Sequence, residues 1–130
     1  MSEFSKSLAV TASALNAQAT RLRHVSENIS NADTPGYRRK TVPFETARDP
    51  DQGTDLVRTG RVKLDRRDLP EIFDPSHPMA DDTGHYKGSN VDLMIEIADA
   101  REAQRSYEAN LKLFDQARQM SSGLMDLLRK

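Results

Sequence analysis

The chain is expected to be mainly α, with two long N- and C-terminal helices pairing as an antiparallel coiled coil around a small β/loop middle region. Three observations predict this. An apolar stripe at heptad spacing runs along the N-terminal part and a second along the C-terminal part. Between them, Val42 to Lys87 holds five of the six prolines and no helical period. The expected division is residues 1–36 for the first helix and its turn, 37–88 for the β/loop segment, and 89–130 for the second helix.

In the first helix, Leu8, Leu15, Leu22 and Ile29 recur every seventh residue after Phe4, with Ala12 and Ala19 on the same stripe. Ser, Thr, Gln, Asn and Arg fill the other faces, so this is a narrow seam for a partner helix and not a core element. Asn28, Asn31 and Asp33 are expected to end the helix by bonding to nearby backbone. Thr34 precedes a proline, and Pro35-Gly36 suits the central positions of a type II turn from Thr34 to Tyr37.

In the middle segment, Val62 and Leu64 alternate with charge in "GRVKLD" and read as a short exposed strand, with Leu56-Val57 as its expected hairpin mate. The run "LPEIFDPSHPMADDTGHYKG" is rich in turn residues and expected to be extended. In the second helix, Ser89 or Asn90 is the expected cap. Leu93, Ala100, Tyr107, Phe114 and Leu128 share one heptad position; Ala103, Ala117 and Leu124 support that face, and Ile97, Leu111 and Met125 widen it. At 1.5 Å per residue this helix spans roughly 57 Å against roughly 40 Å for the first, so part of its seam is left for other copies or partners.

Composition narrows the function. The chain has 130 residues, 36% hydrophobic and 5% aromatic, with no tryptophan, too little apolar material for a deep core. Its 19 basic and 20 acidic residues leave a net charge of -1, which disfavours binding to nucleic acid. Without cysteine there is no disulfide, thiolate metal site or thiol nucleophile. No cleaved signal peptide and no membrane span is expected. His77, Asp81, Asp82 and His85 match no known metal-ligand frame, no serine sits in a G-x-S-x-G elbow, and neither enzyme activity nor a cofactor is expected. The run Arg38-Arg39-Lys40 is expected to be a solvated face or a salt-bridging contact to a neighbouring protein.

Two motifs raise a resemblance. "SENISNADTPGY" resembles the N-terminal motif A-N-N-L-A-N-x-x-T-P-G-Y of flagellar axial proteins (rod, hook and hook-associated subunits), with Asn28, Asn31, Thr34, Pro35, Gly36 and Tyr37 matching. The C-terminal signature of that family is similar to "NVDLMIEIADAREAQRSYEAN", through Asn90, Val91, Asp92, Arg105, Tyr107, Ala109 and Asn110. "FDPSHPMADDTGHYKGSNVD" further resembles the basal-body proximal rod proteins, in Asp74, Pro75, His77, Pro78, Ala80, Asp81 and Gly84; His85 before Tyr86 and Gly88-Ser89 depart from their pattern.

The resemblance implies a structural subunit of the proximal rod, the periplasmic drive shaft that transmits torque to hook and filament. It also implies a helix pair facing the inside of a tube, with residues 37–88 outside. Implied partners are copies of the chain, other proximal rod proteins, the distal rod protein, the rod-to-ring adaptor and the flagellar type III export apparatus, which exports such subunits without signal cleavage. The expected assembly residues are Leu8, Leu15, Leu22, Ile29, Leu93, Ala100, Tyr107, Leu111, Phe114, Leu124 and Leu128. Two other readings fit the same residues: a different flagellar axial subunit, or a two-helix coiled-coil adaptor unrelated to flagella.

Overall fold

A computed structural model describes residues 2–129. Helix α1 spans Ser2–Ser30 and helix α2 spans Leu93–Arg129. Six short strands lie between them: β1 (Lys40–Thr41), β2 (Phe44–Arg48), β3 (Asp55–Thr59), β4 (Lys63–Leu64), β5 (Glu71–Phe73) and β6 (His85–Lys87). They form three antiparallel two-stranded pairs. Among the described residues no helix is long and apolar enough to cross a membrane.

The helices run antiparallel along one another. Asn28 meets Glu96, Arg21 meets Asp99 and Glu102, and Phe4, Ser7 and Thr11 share a groove with Leu113, Ala117 and Met120. The tightest packing line lies one step beside the expected stripes. Thr11, Val25 and Asn28 are buried on α1, while Leu8, Leu15 and Leu22 are half-buried and Ile29 is 38% exposed. On α2, Glu96, Ala103 and Ala117 are buried at heptad spacing; Ala100, Tyr107 and Phe114 are half-buried, and Leu93, Leu111, Leu124 and Leu128 are exposed. Small side chains permit the closest backbone approach, so on α2 Ala103 and Ala117 take the contact line and the bulkier leucines flank it.

Helix α1 carries a second neighbour that its polar faces did not announce. Strand β3 packs against it, Ala17 is buried there, and the Val57 amide donates to Ser13 Oγ at 3.1 Å. The β2–β3 hairpin therefore lies on the helix rather than projecting freely.

Strand pairing also departs from expectation. Leu56-Val57 pairs with Thr46-Ala47, and Lys63-Leu64 pairs back to Lys40-Thr41. The cause is the reversal at Asp49–Gly53, where the Gly53 amide bonds Asp49 O at 2.8 Å and Gly53 takes φ +64. That closes 40–48 and 55–64 into one ribbon. Pro43, which has no N–H, and the residues after Gly60 interrupt the ladder between its two parts. The run from Glu71 to Lys87 is likewise a hairpin, β5 with β6, and not an extended strap.

Candidate assembly interface

The Thr34-Pro35-Gly36-Tyr37 turn is closed by the Tyr37 amide on Thr34 O at 3.2 Å, with Gly36 at φ +77, the type II geometry that Pro-Gly favours. Asn31 stabilises the helix end: its Nδ2 donates to Glu27 O at 2.9 Å and its Oδ1 accepts from the Thr34 hydroxyl at 3.0 Å. Asn28 does something else. It is fully buried within α1, and its amide uses every donor and acceptor it has. Nδ2 donates to Lys40 O at 2.9 Å and to Glu96 Oε2 at 3.2 Å; Oδ1 accepts from the Tyr37 hydroxyl at 2.8 Å and from the Lys40 amide at 2.9 Å. One side chain thus ties helix, turn, strand β1 and the opposite helix together.

Glu96 is the other half of this knot. It is completely buried on α2, bonded by Asn28 on one oxygen and by Arg39 Nε on the other. Arg39 also donates to Asp99 Oδ2 at 2.7 Å, and Arg21 stands 3.5 Å from Asp99 and 3.6 Å from Glu102. A buried carboxylate persists only with this degree of hydrogen bonding and an opposite charge. Burial pushes the Tyr37 phenol above its ordinary range. The hydrogen bond between Lys40 and Glu27 holds Glu27 below the usual carboxylate range and Lys40 above the lysine range.

The two sequence motifs meet here. The Gly36 amide bonds Lys87 O and Gly88 O, and the Asn90 amide bonds Tyr37 O. Asn90 Oδ1 accepts from the Arg39 amide at 2.7 Å, while its Nδ2 donates to Asp65 O at 3.0 Å and Arg67 O at 3.2 Å. Ser89 Oγ donates to Ala32 O. With Ser89 and Asn90 engaged in this way, Asp92 caps α2, its Oδ1 accepting from the Met94 amide at 3.0 Å. The half-buried Val91 joins the two. Tyr107 and Asn110 lie farther along α2, outside the junction; Asn110 bonds Ser106 O at 2.8 Å.

The cationic run turns inward rather than to a neighbour. Arg38 donates to Asp65 O and Arg67 O at 3.0 and 2.9 Å, Arg39 serves Glu96 and Asp99, and Lys40 serves Glu27. His77 stacks on Tyr86 with ring centres 3.9 Å apart, and Asp81 accepts from Thr83 and from the His85 amide, so both build the β5–β6 loop. His24 is largely buried beside Glu27 at 3.8 Å.

Apolar surface is concentrated elsewhere. The Phe4 end of α1 lies beside Leu113–Met120, and α2 continues nine residues past Met120 with Leu124, Met125, Leu127 and Leu128 at 42%, 39%, 67% and 77% exposure. Met94, Ile97, Leu111, Leu113 and Met120 add exposed apolar side chains on more than one face of the same helix. Apolar exposure of this extent on a slender helix pair marks contact surface for neighbours.

Two family models match, "Flagella basal body rod protein" at residues 8–38 and "Flagellar basal body rod FlgEFG protein C-terminal" at residues 82–127. The chain is also 44% identical to the flagellar basal-body rod protein FlgC of Agrobacterium fabrum, over 99% of this chain and 98% of that protein. The chain belongs to the flagellar basal-body rod protein family. It is FlgC-like within that family: the FlgC proteins of Salmonella typhimurium and Bacillus subtilis are each 32% identical, over 85% and 81% of this chain and 87% and 85% of theirs. The two family models cover the two halves of the Asn28–Glu96 junction, so what defines this rod protein in sequence is also what fastens its helices in space.

The junction's residues Asn28, Tyr37 and Asn90 were visible as motif residues. Arg39 and Glu96 were not, because a charged residue in a helical pattern is normally assigned to solvent. The available signal was register: Glu96 stands on the line of Ala103 and Ala117, where a solvated carboxylate does not belong.

Proposed function

We propose that this chain is a structural subunit of the bacterial flagellar proximal rod, without enzymatic activity. In this reading residues 1–36 and 89–130 form a coiled coil lining the tubular shaft, and residues 37–88 form its outer part. The subunit is exported by the flagellar type III apparatus, polymerises in the periplasm with copies of itself and the other rod proteins, and carries torque towards hook and filament.

The observation that carries this reading is the pairing of a rigid junction with an unfinished seam. The Asn28–Glu96–Arg39 network fixes the angle at which chain leaves the helix pair, as torque transmission requires. The exposed α2 end supplies apolar area that neighbours cover, so many modest contacts replace one large core. Deleting the chain's gene is the test. The expected result is loss of rods and of swimming, restored by the gene in trans; complete, rotating rods in the deletion strain would refute the reading.

A further inference from the structure

The middle segment separates its charges. Residues 57–67 carry Arg58, Arg61, Lys63, Arg66 and Arg67 against the single acid Asp65. Residues 68–86 carry Asp68, Glu71, Asp74, Asp81 and Asp82 and no lysine or arginine. The whole chain is nearly neutral at -1, so this is a dipole within one segment and not a general bias.

The two blocks do not neutralise each other within the chain. Arg58 pairs with Glu45, Arg67 with Asp65, and Glu71 with Lys87. Arg61, Lys63 and Arg66 are exposed, and none has an ion-pair partner among the described residues. They border a groove of about 810 Å³ whose apolar floor is Val62 and Leu64, 41% and 53% exposed.

The acidic block has the complementary character. Its loop is well built: Asp74 Oδ1 accepts from the Ser76 hydroxyl at 2.7 Å, and Asp81 Oδ1 accepts from the Thr83 hydroxyl at 2.6 Å and the His85 amide at 3.1 Å. Asp82 and Asp68 are exposed and face no cation among the described residues. Phe73 precedes Asp74 and Met79 lies two residues before Asp81, and they are 65% and 63% exposed. One surface is an apolar groove rimmed by cations, and the other is an apolar projection rimmed by anions.

We propose that the Asp74–Gly84 loop of one copy of this chain seats in the Arg61–Arg66 groove of a neighbouring copy. The contact is head-to-tail, joining two different surfaces, and such a contact repeats from subunit to subunit around a ring or helix. Opposite charge supplies orientation and register, and the apolar centre supplies area. This inference rests on the rod reading and adds which outer surfaces meet.

The absence of cysteine makes the test clean. A chain carrying Lys63→Cys and Asp82→Cys, oxidised in isolated basal bodies, is expected to give dimers and higher multimers, with at least tenfold more crosslinked product than either single variant. Arg61→Glu with Lys63→Glu is expected to lower the yield of rods at least tenfold, as is Asp82→Lys. Combining the two sets is expected to restore the yield to within twofold. These side chains hold no ion-pair partner among the described residues, so the loss reports on contact between copies. Normal rods from both charge variants, or assembled rods without the crosslink, overturn the inference and leave rod membership standing. Absence of the chain from isolated basal bodies overturns the rod reading itself.

Discussion

Replacing Arg39 with alanine is expected to destabilise the isolated chain by about 3–5 kcal/mol, read as a fall in the urea midpoint followed by circular dichroism. The magnitude follows from what is left behind. Glu96 has no exposed surface, and Arg39 is the cation bonded to it. Without the guanidinium a carboxylate stays buried with only the Asn28 amide for compensation, and Asp99 loses a partner as well. A domain of this size has about 5–15 kcal/mol of stability in all, so the variant is expected to lose a large fraction of what holds the fold. Replacing Arg39 by methionine and Glu96 by leucine together removes both charges, and is expected to recover more than half of the loss. A cost below about 1 kcal/mol for Arg39→Ala would mean that the junction is not what holds the helices.

The opposite behaviour is expected at the free end of α2. Leu127→Asp combined with Leu128→Asp should leave the stability of the isolated chain within about 0.5 kcal/mol, because these side chains are 67% and 77% exposed and contribute little to the fold. In cells the same variant is expected to abolish rods and swimming, since a neighbour would have to bury two carboxylates without partners. The two variants together separate the forces acting within a subunit from those acting between subunits. Arg39→Ala weakens the subunit before assembly begins, and the α2 variant fails only when subunits meet.

The helices and the Pro35-Gly36 turn were legible in the sequence because their determinants are local: heptad spacing, and a Pro-Gly pair with a φ +77 at Gly36. The choice of contact line was not. On α2 two neighbouring heptad lines carry apolar residues, and backbone proximity selects the one with Ala103 and Ala117; on α1 the buried positions include the polar Thr11 and Asn28, which no apolar stripe announces. Strand pairing was illegible for a related reason, since the mate of Leu56-Val57 depends on where the chain turns back at Asp49–Gly53 and where Pro43 breaks the ladder. The junction itself was half visible. Its amide and phenol residues stood in the motifs, whereas its charges were hidden among surface residues of the same type. Arg38, Arg39 and Lys40 illustrate this: as a run they looked like an outward-facing patch, yet each is spent on a different partner inside the subunit.

The central claim is that the unpaired stretch of α2 is covered by neighbouring subunits in the rod. Because the chain has no cysteine, Leu128→Cys places a single reactive thiol on that stretch. The measurement is the rate of maleimide labelling at this position in the isolated chain and in purified basal bodies. Fast labelling in the isolated chain and at least a tenfold slower rate in the basal bodies is the expected result; equal rates in the two, with the variant chain assembled into intact rods, would contradict the account.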